Sequence, residues 1–175
     1  MDEDTVIKLV TNAAADVFST MLGLSIETGE PFHQGATADA EGVIALIGLA
    51  GSWIGTGMLK CSPEFACKIS SLMLMADYES VNDDVLDAIG EISNMIFGNV
   101  KTELEDLVGP LGLSIPTVLF GRNFSAKSLG CQTWTVVPVR YGPHQMEVKI
   151  CLTPSHNCAS AQLPGYLRPC ASLGS

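Results

Sequence analysis

A chain of 175 residues with 47% apolar residues and a formal net charge of −10 has the size and composition of one globular domain. Its 19 acidic residues face nine Lys and Arg, and no basic run occurs, so the cations that neutralise phosphates on nucleic acid or an anionic membrane are lacking. Cys61, Cys67, Cys131, Cys151, Cys158 and Cys170 form no CxxC pair and are read as free thiols in a reducing cytoplasm.

The first residues, Met1-Asp2-Glu3-Asp4, are acidic where a signal peptide is basic and then apolar, so a cytoplasmic location is expected. Thr5 to Leu22 follows with apolar residues at Val6, Leu9, Val10, Ala13, Val17 and Met21, a helical spacing that Gly23 ends. Gly42 to Leu59 is free of charge but holds five glycines, with Ser52 and Thr56 near its middle. That composition predicts two buried strands, Glu41–Gly48 and Trp53–Cys61, joined at Gly51-Ser52, and no membrane span. Ser62-Pro63-Glu64 supplies a cap and a first-turn proline for a second helix running to about Met75.

Asn82-Asp83-Asp84 opens the best-defined helix, an Asn cap with acids at the positive end of the helix dipole. Its period runs to Val108, and Gly109-Pro110 stops it. Three strand-like runs come after it: Ser114–Phe120, Thr133–Tyr141 and Gln145–Leu152. Residues 1–153 are read as one domain and residues 154–175, rich in Ser, Pro, Gly, Cys and Ala, as an irregular C-terminal tail. The order of elements is not a simple βαβ alternation, and it predicts an α+β fold with a largely antiparallel sheet covered by helices.

On a wheel of about 100° per residue, Val85, Ile89, Ile92, Ile96, Val100, Leu104 and Leu107 line one side of the third helix. Asp87, Glu91, Asn94, Gly98, Lys101 and Glu105 line the other. Glu91 and Asn94, three apart, therefore project together, and Gly98 leaves the next turn of that face bare. A solvated polar face is the ordinary meaning of such a stripe. Yet Asn94 is a poor helix former, and Gly90 and Gly98 each cost about 1 kcal/mol relative to Ala. Three poor formers in one helix point to a demand other than stability.

Asp87-x3-Glu91-x2-Asn94, with Pro116 following, resembles the signature of the CheC, CheX and FliY phosphatases. The resemblance covers about Thr5 to Leu152, and the 21 residues between Asn94 and Pro116 are one fewer than the family's usual spacing. It implies two pseudo-symmetric halves. In keeping with that, Leu-Gly-Leu-Ser-Ile occurs at Leu22–Ile26 and again at Leu111–Ile115. Aligning Gly23 with Gly109 sets Thr5 and Lys8 opposite Glu91 and Asn94, and a shift of one sets Val6 and Leu9 there. Neither register pairs a carboxylate with an amide, so the chain is most like the single-site CheX members.

The resemblance further implies hydrolysis of the aspartyl phosphate of a CheY-like response regulator. In that reading Asn94 positions the attacking water, a task suited to a neutral amide with donors and acceptors. Glu91 engages the regulator's active-site Lys, and Asp87, Gly98 and Pro116 face the partner. Mg2+ would sit on the regulator, with no cofactor on this chain. A homodimer is implied as well, with Val43–Leu49 and Thr133–Val139 as candidate edges. The alternative reading is a non-catalytic dimeric module of the same fold that binds a regulator or a flagellar component. No metal site is expected; the nearest cluster in sequence is Cys151, His156 and Cys158.

Overall fold

The computed structural model describes residues 2–35, 37–127 and 133–155, with the backbone alone for 37–40 and 123–127. The first helix, α1, spans Glu3–Leu22. Asp2 accepts the Thr5 N–H at its start, and Gly23 closes it in the left-handed region. Next come β1 (Glu27–Thr28), β2 (Phe32–Gly35), β3 (Thr37–Gly51) and β4 (Trp53–Cys61). Helix α2 covers Pro63–Leu74, capped by Ser62 through the Phe65 N–H, and α3 covers Asp83–Val108, capped by Asn82 through the Val85 N–H. Strands β5 (Leu111–Leu113), β6 (Thr117–Lys127), β7 (Thr133–Tyr141) and β8 (His144–Pro154) complete the described fold.

All the pairings are antiparallel. The sheet order is β1-β7-β8-β4-β3-β5, with β2 also on β7 and β6 also on β3. This order is symmetric about the β8–β4 pair. The series α1-β1-β2-β3-β4 maps onto α3-β5-β6-β7-β8, and β1 and β2 lie on β7 as β5 and β6 lie on β3. The two halves expected from the repeat are thus present, each lending its short strands to the other.

The register also fixes a crossing. Gly35 pairs with Thr133 at the β7 edge, and Thr37 follows after one residue. Val43, in the same strand β3, pairs with Cys61 four strand positions away, about 19 Å at a spacing of about 4.8 Å. Six residues at about 3.3 Å each just span that width. Thr37–Ala40 and their partners Phe124–Lys127 therefore form a two-stranded ribbon beyond the β3–β4 pairing, leading from the β7 edge to β3. The bend sits at Gly42, whose φ of 98° and whose place against the Cys61 carbonyl leave no room for a side chain. A bulge in the β3–β6 register falls between Ala40 and Gly42.

The core has two parts accordingly. Val43, Ala45, Ile47, Leu59, Val137, Val148 and Ile150 point at the helices and meet Val10, Phe18, Phe65, Ile89, Ile96 and Phe97. Ile44, Met58, Trp134, Val136 and Cys151 form a second buried cluster on the opposite face. Lys149 is buried on that face too, its Nζ donating to Gln34 Oε1 at 2.6 Å and lying 2.8 Å from Glu147 Oε2. A buried ammonium with two acceptors is paired rather than stranded.

Several expectations need correction. The strand expected over Ser114–Phe120 begins at Thr117 and extends to Lys127, leaving Pro116 just outside it. The short strands β1, β2 and β5 were not expected. Leu107, placed on the core side of α3, is 57% exposed, and its neighbour Val108 is the one that packs against the core in the last turn. The stretches Val43–Leu49 and Thr133–Val139 are paired on both sides and offer no edge for a second copy. Cys61 and Cys67 are free, and burial pushes the Cys61 thiol up to about 12. Cys151, by contrast, is disulfide-bonded, where the sequence reading took it for a free thiol because no CxxC spacing marks it. The tail expected at 154–175 lies, beyond Ser155, outside the described residues. No helix among the described residues is long and apolar enough to cross a membrane.

Candidate functional site

Helix α3 is held on the sheet by glycines on two sides. At Gly57 in β4 a Cβ would lie 2.5 Å from the Phe97 ring, so the missing side chain lets that ring lie flat on the strand. At Gly90 a Cβ would lie 3.2 Å from Val118 Cγ2 and 4.0 Å from Pro116 Cβ, so the flank of α3 rests close against the start of β6. Both contacts fix which arc of the helix is turned outward.

That arc carries Asp87, Glu91 and Asn94, all exposed, with Gly98 half-buried one turn beyond Asn94. None of Asp87, Glu91 and Asn94 has a hydrogen bond, ion pair or charge partner among the described residues. Glu91 and Asn94 are one helical step of three apart, about 4.5 Å along the axis. A Cβ at Gly98 would meet nothing within 4 Å, so the helix backbone is open to close approach there. Further along the same stripe Lys101 donates to Glu105 Oε2 at 2.8 Å, and Glu105 Oε1 accepts the Leu111 N–H at 2.9 Å. The Lys101 hydrogen bond, then that of Leu111, holds the Glu105 carboxyl below the usual carboxylate range. These two charges are spent on tying α3 to β5, which leaves Asp87 and Glu91 as the unpaired acids of the ridge.

Gly98 supplies a direct check. Gly98→Ala fills open space and removes a poor helix former, so the melting temperature should rise by about 2–4 °C for the roughly 1 kcal/mol gained. A fall in thermal denaturation would mean that the position packs against something.

Pro116 sits half-buried beside Gly90, so the five residues singled out from the sequence form one surface on α3 and its flank. The equivalent face of α1 has no such pair. Val6 and Leu9 are buried in the core, and Thr5 and Lys8 include no carboxylate or amide. Among the described residues no three His, Cys, Asp or Glu are placed to hold a metal ion; His156 and Cys158 lie outside them.

The chemistry open to this ridge is recognition and positioning: an acid to meet a cation, and an amide to hold a water or an oxygen. The ridge's side chains include no hydroxyl or thiol nucleophile. The family model described as "Chemotaxis phosphatase CheX" matches residues 43–139. The CheY-P phosphatase CheX of Thermotoga maritima is 28% identical over 126 residues, covering 71% of this chain and 81% of that protein. A chemotaxis protein of Desulfovibrio vulgaris Hildenborough, solved as a crystal structure, superposes with a TM-score of 0.76 at 25% identity, over 85% of this chain and 97% of its own. CheX in the CheX-CheY-BeF3-Mg+2 complex of Borrelia burgdorferi superposes with a TM-score of 0.72 at 27% identity, over 84% and 97%. With its helix ridge, its doubled antiparallel sheet and a family match over more than half its length, this chain belongs to the CheX family of chemotaxis phosphatases.

Proposed function

We propose that this chain hydrolyses the aspartyl phosphate of a CheY-like response regulator, with Asn94 positioning the attacking water and Glu91 pairing with the lysine beside the phosphorylated aspartate. The observation that carries the reading is the pair itself. Glu91 and Asn94 project from one face of a firmly seated helix, exposed and without partners, next to a glycine that admits a close neighbour. The names of the Thermotoga relative and of the Borrelia complex support the same substrate and partner.

An acyl phosphate is already reactive, so a water held in line with phosphorus is most of what its hydrolysis requires. A carboxylate aimed at the phosphoryl oxygens would repel them, whereas the neutral amide of Asn94 does not. Glu91 serves better on a cation, where the pair fixes register. Asp87 adds a second acid on the approach, and Gly98 and Pro116 shape the floor. Mg2+ belongs to the regulator in this scheme, where it neutralises the phosphoryl group; the chain itself contributes no ligand. A homodimer is part of the proposal, by a surface other than the β3 and β7 edges.

The test is phosphate loss from CheY-type regulators phosphorylated with acetyl phosphate, those of Thermotoga maritima and Borrelia burgdorferi among them. The chain should accelerate loss from at least one of them. Glu91→Lys should raise KM about tenfold or more, as expected when an ion pair at an interface becomes a like-charge contact. Binding of a regulator with no acceleration of its phosphate loss would leave the non-catalytic module as the correct account.

A further inference from the structure

Three of the chain's nine Lys and Arg meet at one end of the sheet, although the protein as a whole carries a net charge of −10. Lys60, Arg122 and Arg140 line an open cavity of about 650 Å³ there, and a fourth cation, Lys149, is buried behind Glu147 in its wall. That volume lies within the range of small-molecule sites, about 300–1,000 Å³. The register places the lining. Lys60 on β4 pairs with Glu147 on β8, Glu147 pairs with Pro138 on β7, and Arg140 pairs with Gln145. Paired residues share a face, and Pro138 and Arg140 alternate with Val137 and Val139 of the helix-side core. All five therefore stand on the face opposite the helices.

Glu41, Glu64 and Glu147 line the cavity too, so the balance of the two signs decides what it can hold. The acids are already served. Glu147 Oε2 lies 2.8 Å from Lys149 Nζ, with Lys60 Nζ farther off at 3.9 Å. Glu64 turns back on its own N–H and on Ser62 at the start of α2, which hold its carboxyl below the usual range. Glu41 has Arg122 at 4.0 Å, a wide pair exposed on both sides and worth little. The cations are left in surplus. One carboxylate, Glu147, stands between two lysines, and Arg140 has no hydrogen bond or ion pair among the described residues. Lys60 and Arg140 are two strands and two residues apart, about 12 Å from spacings of about 4.8 Å and 3.3 Å. Side chains of their length can close on one group lying over β8.

One wall is apolar. Phe32 on β2 pairs with Val136, on the same face of β7 as Pro138, and both Phe32 and Pro138 line the cavity. Phe32 is 45% exposed, an aromatic surface left uncovered beside the surplus charge. An inorganic anion would fill only a small part of such a space. We infer that this cavity binds a small phosphorylated ligand of nucleotide size, its phosphate held by Arg140 and Lys60 and its flat apolar part laid on Phe32 and Pro138. Arg140 supplies a planar fork that phosphate takes in two parallel bonds, and Lys60 a point charge. The site shares no residue with the α3 ridge and does not depend on the activity proposed there.

Titration calorimetry of the full chain with AMP, GMP, ATP and inorganic phosphate is the test. At least one nucleotide should bind with Kd below about 1 mM, and about tenfold or more tighter than inorganic phosphate. Arg140→Gln and Lys60→Gln should each weaken that nucleotide about tenfold, the loss expected for a charge-assisted hydrogen bond. Phe32→Ser should weaken it about fivefold or more, as removal of a stacking surface does. Lys8→Gln removes the same charge from α1, away from the cavity, and should change nothing. If Lys60→Gln melts early, Arg140→Gln decides, because Arg140 is exposed and supports little of the fold. Nucleotide affinity within twofold of the parent in Arg140→Gln overturns the site, as does failure of all three nucleotides to bind below about 1 mM. Inorganic phosphate binding as tightly as the nucleotides would overturn the ligand class and reduce the cavity to an anion patch.

Discussion

Asn94→Ala should lower regulator-stimulated phosphate release by about 10²-fold or more while the protein melts at the parent's temperature or slightly above it. The size follows from what a positioning group does. Holding a water in line converts a chance encounter into a prepared one, and effects of this order are lost with the group that holds it. The unchanged stability follows from the surface. Asn94 is exposed and has no partner among the described residues, and Ala is the better helix former. Asn94→Asp is the sharper companion, nearly equal in shape but placing a negative charge against the phosphoryl oxygens. It should be as slow as the alanine variant. Single-turnover decay of the phosphorylated regulator at saturating chain separates this from weakened binding, and parental rates in both variants would end the assignment.

Gly57→Ala should destabilise the fold by about 2–3 kcal/mol, a fall in melting temperature of roughly 5–10 °C for a chain of this size. The added methyl would press on the Phe97 ring, which is fully buried and packed on the central strand β4. Either the ring leaves its rotamer or α3 lifts from the sheet, and both are costly in a close-packed interior. The companion Phe97→Leu gives the methyl room. The double variant should therefore lose less than the two single losses added together, a coupling that thermal melts resolve. Simple additivity would mean that the glycine is there for another reason. Because Phe97 lies one turn beyond Ser93 and Asn94, the same variant should also slow phosphate release by shifting the helix that carries the ridge.

Much of this fold could be read from local signals. Asn82 and Ser62 announce their helices because an N-cap is a local bargain between one side chain and one backbone N–H. Gly23 and Gly109 end theirs for equally local reasons. The outward direction of Glu91 and Asn94 followed from a period of 3.6 residues and nothing else. What was not legible is neighbourhood. Alternation tells which side of a strand is buried, not which strand lies next to it, so Val43–Leu49 and Thr133–Val139 passed for edges although both are flanked on two sides. Strands β1 and β2 are too short to show a period, and they pair only because β7 comes to them from the other half. The Lys149 pairing to Gln34 depends on the same long-range order. Leu107 was misplaced because a wheel does not show that Val108 takes the core side in the last turn. Gly90 was visible as an oddity, but its reason, the approach of Val118 and Pro116, appears only once β6 is in place.

The exchange of short strands between the two halves carries a consequence for how the chain is made. Beyond the three residues that β5 covers, strand β3 has no outer neighbour until β6 is synthesised, and β2 has no partner strand until β7 emerges some hundred residues later, so a nascent chain stopped before Thr117 would present raw hydrogen-bonding margins ready to stick to other chains. Closure waits for distant segments to meet, the circumstance that slows folding most. Neither half could be cut out and kept as an independent unit: each is completed only by what its sibling lends.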